Sequence, residues 1–485
     1  MSKNFYITTT LPYVNSDPHI GFAMELVRAD VVARSKKLQD FDVFFNTGTD
    51  EHGQKLFTGA KEAGRDIKEY VDLYAEKFKS LPKALGVLEG IHFIRTTDEN
   101  HVKAAQEFWK RCDDNGFIYK KNYQTKYCVG CELEKTDSEL VDGRCPLHPN
   151  REIEIRDEEN YFFKFSEFQD KLLKFYETNP NFVIPDFRYN EIKSFVERGL
   201  EDFSISRLKE KMSWGVPVPN DPDHVMYVWF DALVSYISTL GWPENEDNFK
   251  KYWEEGTPVQ YCGKDNLRQQ SAMWQAMLMA AGLPNTKQIV INGFIMADGG
   301  TKMSKSLGNT VDPYELVNEY GTDAVRYFLL RELSNFEDSP FTTERFKNAY
   351  NAGLANGLGN LVSRIMKMAE SYDIKAREVD LKNFDKDFSS EMDISDFINK
   401  YEISKAVEAI WSKITETDTL IQTDQAFKLI KTNRNDAEIC IKTYIQNLIE
   451  ISFKLRPFLP ETSMKIENLI KENKSPETPL FLRKD

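Results

Sequence analysis

The sequence predicts a parallel-sheet α/β domain, split by a cysteine-bearing insertion and followed by an all-α bundle. Three observations predict it. A strand-like run at residues 5–10 breaks at Leu11-Pro12-Tyr13 and gives way to a helical pattern that Pro18 introduces. Strand-like runs return after a long interruption, at residues 259–262 and 289–291. Beyond about Phe346 strand signals vanish and apolar residues recur at helical spacing.

In chain order, the first helix sets Ile20, Met24, Val27 and Val31 on one face. A second strand, Val43-Phe44-Phe45-Asn46-Thr47, ends at Gly48-Thr49-Asp50-Glu51-His52-Gly53, so polar side chains stand at the C-terminal end of a strand. That edge is where open α/β sheets bind ligands. Past the interruption, Val259-Gln260-Tyr261-Cys262 runs into Gly263-Lys264-Asp265, a helix, and then Ile289-Val290-Ile291. A nucleotide fold of Rossmann type, divided by an insertion, accounts for this order. Its halves are expected at 1–115 and 226–345, with the insertion at 116–225 and the helical region at 346–485. In that region Leu354, Leu358, Leu361, Ile365 and Met368 form an apolar stripe, and amphipathic segments continue through Trp411 and Leu448 to Leu459. The charged stretch at 382–387 reads as a solvated linker.

A chain of 485 residues exceeds what one hydrophobic core usually serves, so two or three domains are expected. No apolar run approaches the roughly 20 residues needed to span a bilayer. Met1-Ser2-Lys3-Asn4 passes directly into strand-like sequence, which leaves no room for a signal peptide. A cytoplasmic protein with no membrane partner is expected. The net charge is −14, but residues 346–485 hold 21 basic and 22 acidic side chains, a net of −1, so −13 falls on the preceding part. Global acidity therefore does not exclude RNA as a partner; local patches decide.

Cysteine and histidine spacing singles out Cys128-Val129-Gly130-Cys131, a gap of 13 residues, and Cys145-Pro146-Leu147-His148. Two such knuckles suit a tetrahedral structural zinc with three thiolates and one imidazole. A redox dithiol is the competing reading of Cys128 and Cys131, and it leaves Cys145 and His148 unexplained. Cys112, Cys262 and Cys440 are isolated and read as small buried hydrophobes.

Two further strings could meet phosphate, although the lysine string alone reads equally as a solvated basic loop. Thr301-Lys302-Met303-Ser304-Lys305-Ser306 follows Gly299-Gly300, and Pro18-His19-Ile20-Gly21 lies far upstream. Charge that builds as a triphosphate loses pyrophosphate can be stabilised by fixed cations and by helix-end N–H groups. In this order the pair resembles the two nucleotide-binding signatures of class I aminoacyl-tRNA synthetases. With Leu11-Pro12-Tyr13-Val14-Asn15, Gly48-Thr49-Asp50-Glu51-His52-Gly53, Tyr227-Val228-Trp229-Phe230-Asp231-Ala232 and Gly263-Lys264-Asp265, the set resembles the methionyl-tRNA synthetase family from the first strand into the C-terminal helices.

The resemblance implies a methionine–tRNA ligase that forms methionyl-adenylate from methionine and ATP, releases pyrophosphate and passes the methionyl group to the 3′ end of tRNA(Met), the initiator included. His19, Lys302 and Lys305 would be catalytic. ATP would be held by these three with Gly21, Gly263 and Asp265, and magnesium would accompany it. Asp50 would face the ammonium group of methionine, while Leu11, Tyr13, Trp229, Ala232, Tyr236, Gln270 and Trp274 would surround the thioether. The chain departs from the family pattern at Phe22, where a second histidine is usual, at Gln270, where many members carry histidine, and at Leu233, where they carry proline. Zinc on Cys128, Cys131, Cys145 and His148 matches a knuckle that some members carry in the connective insertion. Asn360 and Arg364, at i,i+4 on one helix face, would read the anticodon, with Phe427 stacking on a base.

Sister enzymes for leucine, isoleucine or valine would need a large editing insertion, and the stretch between the sheet halves is short. A cysteine-specific enzyme fits the length but not the strings at 11–15 and 48–53. A non-catalytic tRNA-binding paralogue would not be expected to keep His19, Asp50, Lys302 and Lys305. A monomer is expected, since little sequence follows the bundle.

Overall fold

The computed structural model describes residues 3–129, 133–135, 140–146, 149–297, 300–301, 303, 310–376 and 393–485. The chain forms two compact units, one of residues 1–17, 46–79 and 92–291, the other of 18–45, 80–91 and 292–485. These cut across the segments expected from the sequence, because the first 115 residues contribute to both.

The first unit carries the sheet. Its strands include β1 (Asn4–Thr8), β2 (Asp42–Thr49, of which the unit holds Asn46 onward), β3 (His92–Arg95), β4 (Ile118–Cys128), β5 (Glu154–Phe163), β6 (Val183–Ile184), β7 (Thr257–Gly263) and β8 (Gln288–Asn292, held to Ile291). Six of them form one sheet in the order β3-β2-β1-β7-β8-β6. The pairings Phe5 with Thr257, Asn46 with His92 and Ile289 with Val183 are all parallel. The interiors of β1, β2 and β7 are buried almost without a break, as a sheet covered on both faces requires. Strands β2 and β7 lie on opposite sides of β1, so the strand order reverses there and the segments leaving β1 and β7 flank the crevice in which such sheets bind ligands. The expected strands are all present. Val183–Ile184, read as part of the insertion, instead forms an edge of this sheet.

In the insertion, β4 and β5 form a long antiparallel ladder from Ile118 with Phe163 to Tyr127 with Glu154. The helix Glu99–Asp114 buries His101, Phe108, Trp109 and Cys112. Phe108 stacks on Trp274 at 5.5 Å and Trp109 meets Phe230 edge-on at 5.2 Å, an aromatic cluster that supports the segment 228–274.

The second unit begins with the helix Ile20–Leu38, which buries Ile20, Met24, Val27 and Val31 as its periodicity predicts. It also buries the charged side chains of Glu25, Arg28 and Asp30. Arg28 donates to the carbonyls of Leu333, Ser334 and Asn335 and to Asn292 Oδ1, while Asp30 pairs with Arg326 at 2.7 Å. Arg326 donates in addition to the carbonyls of Leu85, Pro457 and Phe458, so the Asp30–Arg326 pair is held on both sides. Beyond Phe346 the described elements are all helices, including Asn360–Tyr372, Ile403–Asp424, Arg434–Leu455 and Pro460–Glu472. Leu354, Leu358, Leu361, Ile365 and Met368 are buried, as expected of the stripe. The stretch 382–387 lies outside the described residues. No helix among the described residues is long and apolar enough to cross a membrane.

Candidate active site

In the first unit, Asp50 directly follows β2 and is locked by its backbone. Its N–H donates to the Pro12 carbonyl at 3.0 Å and its carbonyl accepts from Val14 N–H at 3.2 Å, which pairs Tyr13 with Asp50 across a short parallel bridge. The neighbouring Glu51 is fully buried and fully used. Arg95 grips both its oxygens at 2.7 and 2.8 Å, and Thr49 and Thr97 each donate at 2.6 Å. Asp50 is the opposite case: its Oδ1 is buried with no hydrogen-bond partner among the described residues. Burial first, and then the charge of Asp231, hold its carboxyl well above the ordinary carboxylate range. A buried carboxylate oxygen left unpaired is costly, and a cation placed against it would relieve the cost.

The turn after Asp50 is held from three sides. Trp214 Nε1 donates to the Glu51 carbonyl at 2.6 Å, and Gly53 N–H donates back to the Trp214 carbonyl at 3.4 Å. His52 Nδ1 lies 3.1 Å from Asp231 Oδ2. Gly53 has φ +116°, and a Cβ there would lie 2.3 Å from Tyr13 Oη. Burial and then the nearby Asp50 push the Tyr13 phenol far up, so it stays protonated as a donor.

A second group gathers around Tyr236. Gln270 Nε2 donates to Tyr236 Oη at 2.5 Å, the Tyr6 hydroxyl donates to the Tyr236 carbonyl at 2.9 Å, and the Tyr236 and Trp274 rings meet edge-on at 6.1 Å. Gln270 Oε1 and Trp274 Nε1 are buried without partners among the described residues. Leu11 is buried, Ala232 half-buried, and Trp229 is 41 % exposed on the short helix Val228–Ala232, with its ring 5.4 Å from that of Tyr227. Gly263 closes β7 and caps the turn Lys264–Asn266, while Asp265 is exposed inside that turn. Asp265 is therefore not a helix N-cap, the structural alternative for a carboxylate at that place.

In the second unit, His19 is the N-cap of Ile20–Leu38, with Nδ1 accepting from Gly21 N–H at 3.1 Å. In a neutral ring this assigns the proton to Nε2, which makes that nitrogen a donor. A Cβ on Gly21 would lie 2.9 Å from His19 Cε1, so the glycine makes room for the capping imidazole. Ile20 N–H donates to the Val311 carbonyl at 3.0 Å, which ties this helix start to the chain just beyond the lysine string. Lys302 and Lys305 lie outside the described residues. Phe22 is a buried core residue of the same helix.

Of the zinc candidates, Cys128 and Cys145 are each 1 % exposed, while Cys131 and His148 lie outside the described residues. Among the described residues no cluster of three or more His, Cys, Asp or Glu could hold a metal. In the helical region Asn360 is exposed, Phe427 is 42 % exposed, and Arg364 pairs with Asp418. Lys428 lies 5.7 Å from the Phe427 ring centre.

The residue roles expected from the sequence omit His52, His101, Trp214 and Asp231. The available signal was Asp231 itself, a lone carboxylate in the apolar run 227–234, since such a residue is rarely buried unless paired.

The sequence matches the family described as tRNA synthetases class I (M) over residues 5–152 and 139–366. It is 42 % identical to a methionine–tRNA ligase of Caldanaerobacter subterraneus subsp. tengcongensis, over 96 % of this chain and 74 % of that one. It is 40 % identical to the methionine–tRNA ligase of Synechocystis sp., over 95 % and 88 %. The structure of Mycobacterium tuberculosis methionyl-tRNA synthetase in complex with methionyl-adenylate superposes with a TM-score of 0.88 at 34 % identity, covering all of both chains.

Proposed function

This chain belongs to the methionine–tRNA ligase family of class I tRNA synthetases, and from that premise we propose how its residues share the reaction. The reaction is the ATP-dependent joining of methionine to tRNA. A methionine carboxylate oxygen attacks the α-phosphorus of ATP, the bond to the β-phosphate breaks, and pyrophosphate leaves. A terminal ribose hydroxyl of tRNA(Met) then attacks the carbonyl of the adenylate, and AMP leaves. No protein nucleophile is needed, so the residues act by position and charge.

Asp50 takes the methionine ammonium. The observation that carries this reading is its buried, unpartnered Oδ1. Leu11, Tyr13, Trp229, Ala232, Tyr236, Gln270 and Trp274 surround the thioether, and the Gln270 amide on Tyr236 Oη fixes that phenol as part of the wall. Gly263 and Asp265 meet the ATP ribose. His19 Nε2–H, Lys302 and Lys305 meet the phosphates with magnesium, the lysines most strongly as charge builds on the leaving group. Asn360, Arg364 and Phe427 meet the anticodon.

The donor set of Cys128, Cys131, Cys145 and His148 suits one structural zinc. Two of its thiols are buried although Val129 and residues 141–144 beside them are exposed, as expected of side chains turned onto a shared centre. When bound, the zinc would cross-link the insertion and take no part in the chemistry. A translation enzyme of this kind works in the cytoplasm.

Amino-acid-dependent ATP–pyrophosphate exchange tests the reading. Methionine dominates a panel of the standard amino acids, and Asp50→Asn raises the methionine KM roughly thirtyfold or more, the cost of leaving one member of a buried charge pair unmatched. A stronger signal from leucine or cysteine overturns it.

A further inference from the structure

Asp231 joins three segments of the first unit beneath the proposed ammonium site. Its carboxylate is fully buried on the short helix that carries Trp229 and Ala232. Oδ2 meets His52 Nδ1 at 3.1 Å, on the turn that carries Asp50. Oδ1 faces His101 Nε2 at 3.6 Å, on the helix Glu99–Asp114, and His101 Nδ1 reaches Ser238 Oγ at 2.9 Å. Both His101 and His52 are buried, and the His52 ring is packed edge-on against Trp214 at 5.7 Å.

We propose that Asp231, hydrogen-bonded to His52 and facing His101, is a positioning residue for methionine binding: it fixes the Asp50 turn against the Trp229 helix. The inference rests on the reading of Asp50 given above and names a residue that does not itself touch substrate.

The titratable groups around this carboxylate include His52, His101, Asp50 and Tyr13, with Glu51 neutralised by Arg95. Burial pushes Asp231 up, but the two imidazoles more than offset it and its carboxyl ends below the ordinary value, so it is charged across the working pH range. Asp50, with burial and this fixed negative neighbour and no cation of its own, keeps its proton to higher pH than an ordinary carboxyl. Methionine brings the counter-charge. The proton on Asp50 then leaves to solvent, and the ammonium takes its place. Methionine binding should therefore weaken as pH falls through the raised Asp50 value, giving kcat/KM for methionine an acid limb whose position Asp231 controls.

The test is methionine- and ATP-dependent exchange by the full chain from pH 5 to 9. Asp231→Asn keeps the shape and removes the charge, so the acid limb should move to lower pH by about half a pH unit or more, roughly a threefold change in the ionisation constant, while KM for ATP holds. His52→Ala should raise the methionine KM, and His52→Gln, which can still donate to Asp231, should restore part of it. An unmoved limb, or methionine and ATP KM values rising together, overturns the proposal, because a merely structural role changes affinity without moving the limb. If Asp231→Asn does not fold, His101→Gln decides: with one imidazole gone, the limb should move upward, and a limb that stays in place overturns the proposal. Asp50→Asn separates the two levels. Loss of the limb in that variant with no movement in Asp231→Asn refutes the inference alone, whereas an unchanged limb in Asp50→Asn refutes the Asp50 reading and the inference with it.

Discussion

The phenol oxygen of Tyr13 occupies the space that a side chain on residue 53 would need, 2.3 Å from the Cβ position of Gly53. Gly53 also holds φ +116°, where an L side chain is strained. Gly53→Ala should therefore destabilise the fold by about 1–3 kcal/mol from backbone strain alone and push Tyr13 out of place. Denaturant unfolding and the methionine KM measure the two effects. An alanine variant with parental stability and parental KM contradicts this account of the turn.

His19 does two things that one substitution can separate. Asn is a strong N-cap and can accept from Gly21 N–H as the imidazole does, yet it withdraws the Nε2 donor from the phosphates. His19→Asn is expected to melt at nearly the parental temperature and to exchange pyrophosphate more slowly by roughly tenfold or more. Parental turnover would reduce His19 to a cap.

Lys305→Ala should lower exchange turnover by roughly a hundredfold while methionine binding, followed by equilibrium dialysis, stays near parental. This is the pattern of a contact made chiefly in the transition state. Lys302→Ala should behave alike to a smaller degree. Equal turnover in mutant and parent removes the lysine string from the chemistry.

For the insertion, elemental analysis of protein purified under reducing, chelator-free conditions should find close to one zinc per chain, lost in Cys145→Ala. Removal of the metal should raise proteolysis of the segment around β4 and β5 before the catalytic sheet loosens, because a closed four-ligand site stabilises its own locality. Metal-free protein with a protease-resistant insertion speaks against the site.

The helical region should affect charging and not activation. Substituting Asn360, Arg364 or Phe427 is expected to weaken tRNA charging and spare exchange without tRNA, with Phe427→Ala costing about 1–3 kcal/mol of stacking. Arg364 must leave Asp418 to reach a base, and a half-exposed pair of this kind is worth only about 0–1 kcal/mol, so the release is cheap. Trp411, another aromatic of the region, is buried with its Nε1 donating to the Gly353 carbonyl at 3.2 Å. Trp411→Ala should lower the melting temperature and not act selectively on charging.

Whatever repeats locally or stands in an ordered string could be read from the residues alone. Strand-like runs located β1, β2, β7 and β8, helical spacing located the stripe from Leu354 to Met368, and the ordered strings pointed to the family and proposed Asp50, Tyr13 and His19 for their roles. The tertiary structure alone decided which polar residues meet. Asp30 finds Arg326, Asp231 finds His52 and His101, and Arg364 is engaged by Asp418. It also decided that Val183–Ile184 closes an edge of the sheet and that Trp411 is core. Backbone periodicity and turn chemistry act over a few residues and leave a trace in the chain, whereas a buried charge is fixed by whichever partner packing brings within a few ångströms, and nothing local in a sequence records a neighbour that lies tens to hundreds of residues away.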